Sequence, residues 1–203
     1  MTSPRPYNSP LRAERAEQTR STILRAARRL FETQGFTATT IKDIADEAAV
    51  SVPTVYAAFG SKAALVTGLL DQLEADAADD QHRHAPPGDA DAALHTWLDA
   101  HTRIFERGQP LLRVMLRALS EPAVAELAAE GDRHRRHALH DVIARFAEAN
   151  RLRPGLNSVT AVDEAWALSS VGVYLDLTDH CGWTTTQYRD WLHSSFSRLL
   201  LKE

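Results

Sequence analysis

Apolar residues recur along this chain at the spacing of α-helices. The first such stretch carries four of them at i, i+4, i+7 and i+8, on one face of a helix: Ile23, Ala27, Leu30 and Phe31. No run alternates between apolar and polar residues for long enough to predict a strand. Glycines and prolines separate the helical stretches, most clearly at Gly35, Gly60, 85–89 and 151–157. The sequence therefore predicts an all-α fold of about nine helices.

Composition excludes several classes of protein. Of the 203 residues, 44% are hydrophobic and 25% are charged, which is typical of a soluble globular chain and not of a disordered or fibrous one. No apolar run approaches the length of a membrane-spanning helix, and the N-terminus lacks the apolar segment of a secretory signal. The single cysteine, Cys181, cannot form an internal disulfide. We therefore expect a cytoplasmic protein without a membrane partner.

Charge is unevenly distributed along the chain. The net charge is −4, but residues 1–66 contain 9 Lys and Arg against 6 Asp and Glu, whereas 67–203 contain 14 against 21. A basic first third followed by an acidic remainder indicates that the two parts meet different partners.

Capping signals place the helices of the basic third. Thr40 and Asp43 have the spacing of a capping box at the start of a second helix. Ser51 can cap a third helix, with Pro53 tolerated in its first turn. Ser61 begins a fourth helix that extends to about residue 84. The remaining helices are predicted at 90–107, 110–119, 122–150, 159–179 and 185–201.

Two short helices joined by a tight turn, after a longer helix, have the spacing of a helix-turn-helix. Segment 39–65, TTIKDIADEAAVSVPTVYAAFGSKAAL, resembles the DNA-binding segment of the TetR/AcrR family, and 23–36 resembles the first helix of that family. The family pattern is matched at Thr39, Thr40, Ile44, Ala45, Ala48, Val50, Ser51, Thr54, Tyr56, Phe59, Lys62 and Leu65. The alternative is a helical hairpin within a core.

The resemblance implies a domain organisation and a function. A mobile tail at 1–12 would precede an N-terminal three-helix DNA-binding domain at 13–66. A larger helical ligand-binding and dimerisation domain would occupy 67–203, with the fourth helix linking the two. The expected protein is a ligand-responsive transcriptional regulator, a repressor that binds a near-palindromic operator as a homodimer and is released by a small molecule. The rival is a helical small-molecule-binding or enzymatic protein that has lost DNA recognition.

The DNA-binding residues are predicted from the helix faces and from the resemblance. Val55 and Phe59 would pack inward, so the groove-facing set is Val52, Pro53, Thr54 and Ala57, with Lys42 as the long basic side chain able to reach a base. The resemblance assigns phosphate contacts to Thr40, Thr54, Tyr56 and Lys62. Thr39 and Ser51, at the starts of the second and third helices, complete the predicted set.

Ala49 stands where the family usually has the turn glycine. If this residue needs a positive φ, alanine costs about 1 kcal/mol relative to glycine. We expect the turn to form with a slight adjustment.

The dimer interface is predicted at the last two helices. Apolar residues cover most of the circumference of 159–179, so one side needs cover beyond its own domain core. The last helix adds an apolar set: Tyr188, Trp191, Leu192, Phe196, Leu199 and Leu200. The resemblance implies that these helices pair with a second subunit. The alternative is a monomer with a well-buried penultimate helix.

The ligand site is predicted in the same half, for an apolar or aromatic molecule. Trp97, His101 and Phe105 share one helix face, and the other candidates are Met115, Trp166 and Tyr174. The polar anchors would come from His101, Arg117, Tyr174 and Asp176. The alternative for each aromatic residue is a plain core position.

No motif predicts catalysis, a metal or a cofactor. The chain has no Gly-rich phosphate loop, no G-x-S-x-G and no H-E-x-x-H. His134, His137 and His140 repeat beside several arginines, which favours a solvated helix face over a metal site. Cys181 is interpreted as incidental rather than redox-active. The protein is not expected to be an enzyme.

Overall fold

A computed structural model describes residues 10–79 and 89–202, with side chains described for 12–75 and 89–202. Its helices are α1 Pro10–Gln34, α2 Ile41–Glu47, α3 Val52–Phe59, α4 Lys62–Asp79, α5 Ala90–Arg117, α6 Pro122–Glu148, α7 Ser158–Leu168, α8 Val171–Leu175 and α9 Thr185–Leu200. The predicted all-α class is confirmed. The chain divides into two compact units, Met1–Leu69 and Leu70–Glu203. No helix in the described ranges is both long and apolar enough to cross a membrane.

Local sequence signals set the helix ends of the first unit. Gly35 follows α1 with φ +85°, a left-handed conformation that glycine adopts without strain. The Thr40 hydroxyl accepts from the Asp43 amide and the Asp43 carboxylate accepts from the Thr40 amide, which completes the predicted capping box of α2. Ser51 caps α3, and Gly60 ends it with φ +76°. The unit closes around buried apolar residues that include Ile23, Phe31, Ile44, Val55 and Leu65.

The second unit buries one continuous core among α5, α6, α7, α8 and α9. Its fully buried large side chains include Leu98, Leu139, Phe146, Tyr174, Tyr188 and Leu192. Polar side chains cap the starts of α5, α7, α8 and α9. At α7 Asn157 accepts from the Thr160 amide, and at α9 Thr184 forms a capping box with Gln187. The core therefore sits where the apolar faces of long helices converge.

One predicted helix break was wrong. The sequence indicated separate helices at 90–107 and 110–119, but α5 continues from Ala90 to Arg117 with Pro110 inside it. Proline removes one backbone hydrogen bond from a helix, yet buried residues continue on both sides of it at Phe105, Leu111 and Met115. Packing of this shared face maintains the helix through the proline.

A predicted continuous helix was also wrong. The stretch 159–179 is interrupted at Ser169 and Ser170, continues as the short α8, and ends in a wide turn at Asp176–His180 with a bond from the Cys181 amide to the Asp176 carbonyl. The Ser170 hydroxyl accepts from the Val173 amide at 3.2 Å and so starts α8 as a new helix. Ser169 and Ser170 mark the break between the two helices. The prediction overlooked them because the apolar residues continue on both sides of this pair.

Parts of other predictions fall outside the described residues. These are the tail at 1–9, the end of the fourth helix beyond Asp79, and the loop at 85–88. Residues 10–12, which the predicted tail includes, belong to α1. Asp89 is described and caps α5 by accepting from the Ala92 amide.

Candidate DNA-binding surface and ligand site

The turn between α2 and α3 takes the left-handed conformation that the family's glycine would suit. Ala49 has φ +53° and is exposed. The amide of Val50 donates to the Ala45 carbonyl at 2.9 Å, which closes the end of α2. The turn forms with alanine, and the backbone carries the strain of a left-handed alanine residue.

Helix α3 has one packed side and one exposed side. Val55 is fully buried, whereas Pro53, Tyr56 and Ala57 are exposed at the i, i+3, i+4 spacing of a helix face. The Tyr56 side chain is 52% exposed. This side presents one hydroxyl on an otherwise small and apolar surface, a shape suited to thymine methyl groups and a phosphate.

The remaining predicted residues of α3 lie at its start and margin. Val52 and Thr54 are half-buried, and Ser51 is exposed. The Ser51 and Thr54 hydroxyls share a hydrogen bond of 2.8 Å, and Ser51 also accepts from the Thr54 amide. Phe59 is only half-buried, with the Arg20 guanidinium 4.2 Å from its ring centre.

Thr39, Thr40 and Lys42 occupy three different environments. Thr39 is completely buried and its hydroxyl donates to the Gly35 carbonyl at 2.8 Å, so that hydroxyl is used within the fold. Thr40 is exposed at the α2 cap. Lys42 is exposed and its ammonium contacts Asp46 at 2.5 Å, an interaction that raises the pKa of Lys42. Only the last two present polar groups at the surface.

Lys62 ties the segment after α1 to the start of α4. Its ammonium donates to the Phe36 carbonyl at 2.9 Å and to the Thr39 carbonyl at 3.0 Å, and lies 4.2 Å from the Phe36 ring centre. Two of its three N–H groups are therefore used within the first unit. The sequence pattern indicated a phosphate contact but gave no sign of this structural tie.

In the second unit, four of the predicted ligand-site residues, Trp97, His101, Phe105 and Tyr174, contact one another and two residues predicted for the dimer interface, Tyr188 and Phe196. We call this group the aromatic cluster: Trp97, His101, Phe105, Tyr174, Tyr188 and Phe196. Trp97 stacks on His101 with ring centres 4.7 Å apart, and His101 lies 4.1 Å from Phe105. Phe105 meets the edge of Tyr174 at 5.2 Å, and Tyr174 meets Tyr188 at 5.0 Å. The cluster spans α5, α8 and α9.

A buried polar pair lies within the aromatic cluster. His101 Nε2 and the Tyr188 hydroxyl share a hydrogen bond of 3.1 Å across 87 residues of sequence. Burial, with the charge of Arg135, lowers the pKa of His101 to about 3, so this imidazole is neutral near pH 7. Burial also raises the pKa of Tyr188, which keeps its phenol protonated.

The other ligand candidates are dispersed. Met115 is buried ten residues beyond Phe105 on α5, about 15 Å further along the helix axis. Trp166 is half-buried on α7. Two predicted polar anchors, Arg117 and Asp176, are exposed, and Asp176 lies 3.3 Å from the His180 imidazole. Those two side chains therefore do not point into the aromatic cluster.

Arg135 was assigned to a solvated face of α6, but the structure buries its side chain. Its side chain is only 9% exposed, whereas that of Arg133 is 61% exposed. Arg135 precedes Leu139, Val142 and Phe146 at i, i+4, i+7 and i+11, so helical periodicity already placed it on the buried face. The surrounding run of histidines and arginines concealed that signal.

The predicted interface set on α9 is mostly internal to the second unit. Tyr188, Leu192, Phe196 and Leu200 are all at most 2% exposed. Leu199 is 43% exposed, and Val159 on α7 is 70% exposed. The predicted interface set is therefore corrected, because Phe196 belongs to the core and Leu199 to the surface.

The histidine repeat on α6 and Cys181 lie at the surface. His134, His137 and His140 are exposed, as is Cys181. Among the described residues no group of His, Cys, Asp and Glu is arranged to hold a metal ion.

Comparisons with known proteins agree with this architecture. The model of the bacterial regulatory proteins of the tetR family matches residues 23–69. The HTH-type transcriptional repressor Rv3405c of Mycobacterium tuberculosis is 34% identical over 161 residues, covering 73% of this chain and 80% of that protein. The HTH-type transcriptional regulator TtgR of Pseudomonas putida is 45% identical over 60 residues, 30% of this chain and 29% of that protein.

Solved structures show the same fold. Native NalD, the secondary repressor of the MexAB-OprM multidrug efflux pump in Pseudomonas aeruginosa, superposes with a TM-score of 0.76 at 22% identity, covering 93% of this chain and 99% of that one. A complex of SmeT with triclosan has a TM-score of 0.71 at 18% identity, covering 92% and 93%. With the helix-turn-helix geometry and the Rv3405c relationship, these findings show that the chain belongs to the TetR family and is a helix-turn-helix, DNA-binding transcriptional regulator.

Proposed function

We propose that this regulator is a repressor that binds a near-palindromic operator as a homodimer and leaves it when a small molecule binds the second unit. The observation that carries the DNA-binding part is the exposed side of α3, formed by Pro53, Tyr56 and Ala57 against the buried Val55. Rv3405c is named a repressor, which supports repression here. We infer a cytoplasmic, non-catalytic protein.

DNA affinity in this proposal comes mainly from the phosphates. The α3 side offers few polar groups to base edges. Its Tyr56 hydroxyl, and the exposed residues Thr40, Lys42 and Ser51 that precede α3 in the chain, are suited to contact phosphates. Lys62 adds a phosphate contact only through the N–H that it does not donate to Phe36 and Thr39. Base readout by α3 is therefore restricted to apolar contacts and to local DNA shape.

Dimerisation is proposed through the outer faces of α7 and α9. Val159 and Leu199 are exposed apolar side chains there, and a lasting subunit interface needs such surface at its centre. Leu199→Glu places a charge on this surface without entering the core of the second unit. Sedimentation should then show a folded monomer, and an unchanged folded dimer would place the interface elsewhere.

Ligand response is proposed for the region of the aromatic cluster. Trp97 is half-buried at the margin of the cluster, and its indole stacks on His101. SmeT has been solved with triclosan, which supports a ligand-binding role for this fold. By linkage, the ligand weakens DNA binding by the same factor by which DNA weakens ligand binding.

Binding to DNA upstream of the regulator's own gene tests the proposal directly. Fluorescence anisotropy would compare that fragment with a shuffled sequence at several salt concentrations, for the native protein, Tyr56→Ala and the control His134→Ala. Native protein and control should prefer the native fragment and weaken steeply as salt rises, and Tyr56→Ala should bind more weakly. Equal, salt-insensitive binding of both fragments favours the rival, a protein that has lost DNA recognition.

A further inference from the structure

Arg135 is a cation held in the interior of the second unit. Its side chain is 9% exposed, whereas that of its neighbour Arg136 is 45% exposed and pairs with Asp163. The charge of Arg135 acts on both His101 and Tyr188 of the aromatic cluster. A buried guanidinium destabilises the fold unless its charge is paired and its N–H groups are hydrogen-bonded. Any N–H group of Arg135 that lacks a partner therefore indicates where a ligand could bind.

The guanidinium is only partly satisfied. One terminal nitrogen donates to the Ser169 carbonyl at 2.8 Å, and the other donates to Asp132 at 2.8 Å. The Nε–H group is buried and has no hydrogen-bond partner among the described residues. The Asp132 side chain is 48% exposed, so water screens much of its charge.

A second orphaned donor belongs to the indole that Arg135 contacts. Trp166 Nε1 is buried and likewise lacks a hydrogen-bond partner within the described part of the chain. The Arg135 guanidinium carbon is 5.5 Å from the centre of the Trp166 ring. Arg135 and Trp166 are therefore in contact, and each has one buried N–H group without an acceptor.

The aromatic cluster supplies no anion to this cation. Burial raises the pKa of Tyr188, and its phenol stays protonated, while His101 is neutral. Burial also lowers the pKa of Arg135, which indicates that the surroundings disfavour its charge. Asp132 is therefore the carboxylate that pairs with Arg135, and neither it nor the aromatic cluster supplies an acceptor to the Arg135 Nε–H or the Trp166 Nε1–H.

We propose that Arg135 and Trp166 bind the acid group of the effector, and that the effector is an aromatic carboxylate. A guanidinium and a carboxylate form strong charge-assisted hydrogen bonds, and the indole N–H can donate to the same group. The aromatic rings around His101 suit a flat organic body. The inference rests on the proposed ligand response and specifies its chemistry.

Matched acids and amides test the charge requirement. Isothermal titration calorimetry would compare benzoate with benzamide and phenylacetate with phenylacetamide on the full-length protein, since each pair shares a shape and differs in charge. The acids should bind at least about tenfold more tightly, the effect of a hydrogen-bonded charge. Arg135→Gln should reduce this preference to about twofold or less, whereas the control Arg133→Gln, at an exposed arginine of the same helix that pairs with Glu126, should retain it.

A second variant guards against a folding defect in Arg135→Gln. Trp166→Phe keeps an aromatic ring at this half-buried position and removes the Nε1–H donor together with part of the indole ring. It should weaken the acids severalfold and leave the amides unchanged, with an unaltered circular dichroism spectrum. If Arg135 serves only to tie α6 to Ser169, acids and amides respond equally to both variants.

The possible outcomes distinguish failure of the acidic-effector inference from failure of the proposed ligand-responsive repression. Equal binding of acids and amides, or binding of none of the four, overturns the acidic effector. Release of operator DNA by an amide and not by its acid also overturns it and leaves the ligand-responsive repressor intact. Acids that bind through Arg135 without affecting operator DNA support the site and overturn the proposed ligand response.

Discussion

Both units use polar side chains to cap helices, but the second unit also buries a pair of polar side chains in its core. In the first unit, Thr40 and Ser51 cap helices at the surface, and the Lys62 ammonium donates to two backbone carbonyls just before α2. In the second unit, His101 and Tyr188 are buried and bond each other in the middle of the core. The first arrangement leaves water within reach of the polar groups, whereas the second replaces water entirely.

This difference determines what each unit can tolerate. A surface cap that is lost is partly replaced by water, so its removal has a small effect. A buried polar group has no such replacement and must be satisfied by a fixed partner. Substitutions at the surface caps of the first unit should therefore be tolerated. Substitutions at the buried polar pair of the second unit should not, because each member depends on its fixed partner.

The largest contrast is expected from removing one aromatic ring in each unit. Phe196 is 2% exposed and packs against Trp97, whereas Tyr56 is 52% exposed. Phe196→Ala should lower the free energy of unfolding by about 3–5 kcal/mol, because it leaves a cavity. Tyr56→Ala should change it by about 0.5 kcal/mol or less. Urea denaturation measures both, and equal losses would contradict the assigned burial of these rings.

Acid should destabilise the second unit through His101. The pKa of His101 is lowered from 6.5 to about 3 by burial, so below pH 6.5 the unfolded chain binds a proton that the folded chain does not. Stability from this group is complete above pH 6.5 and falls until about pH 3. Between pH 7 and pH 5 the loss should be about 2 kcal/mol.

The control for this acid effect is His101→Gln, which keeps a polar side chain but does not titrate. Its free energy of unfolding should fall less between pH 7 and pH 5 than that of the native protein. The first unit, residues 1–69, contains no histidine, so the difference reports on the second unit. Parallel pH profiles for the two proteins would show that folding does not lower the pKa of His101.

Local signals in the sequence predicted the first unit better than the second. The capping box of Thr40 and Asp43 joins residues three apart, so sequence spacing alone reveals it. The His101–Tyr188 bond joins residues 87 apart, and no local pattern pairs them. The continuation of α5 through Pro110 also depends on tertiary packing, which outweighed the local preference for a break.

Substitutions of the half-buried Lys62 and the exposed Lys42 should distinguish a structural tie from a surface charge. Lys62→Met removes two bonds to backbone carbonyls and should cost about 1 kcal/mol of stability. Lys42→Met loses only an exposed contact with Asp46 and should have little effect on stability. Thermal unfolding compares the variants.

Salt dependence of DNA binding then distinguishes the roles of the two lysines. A phosphate contact contributes about one unit to the slope of log affinity against log salt. Lys42→Met should flatten this slope if Lys42 contacts a phosphate, with stability preserved. If Lys62→Met destabilises the first unit but leaves the slope unchanged, Lys62 is a positioning residue and the phosphate assignment is wrong.

The smallest effect is expected at two left-handed turns, one in each unit. Ala49 has φ +53° and Asn150 has φ +52°, yet asparagine adopts this conformation more readily than alanine. Ala49→Gly should raise the free energy of unfolding by about 0.5–1 kcal/mol, since relief of strain exceeds the added flexibility of the unfolded chain. Asn150→Gly gains less relief and loses the bond from the Lys202 ammonium to the Asn150 side chain, so it should be neutral or destabilising. Chemical denaturation of both variants tests this order, and a destabilised Ala49→Gly would mean that the turn does not hold a positive φ in solution.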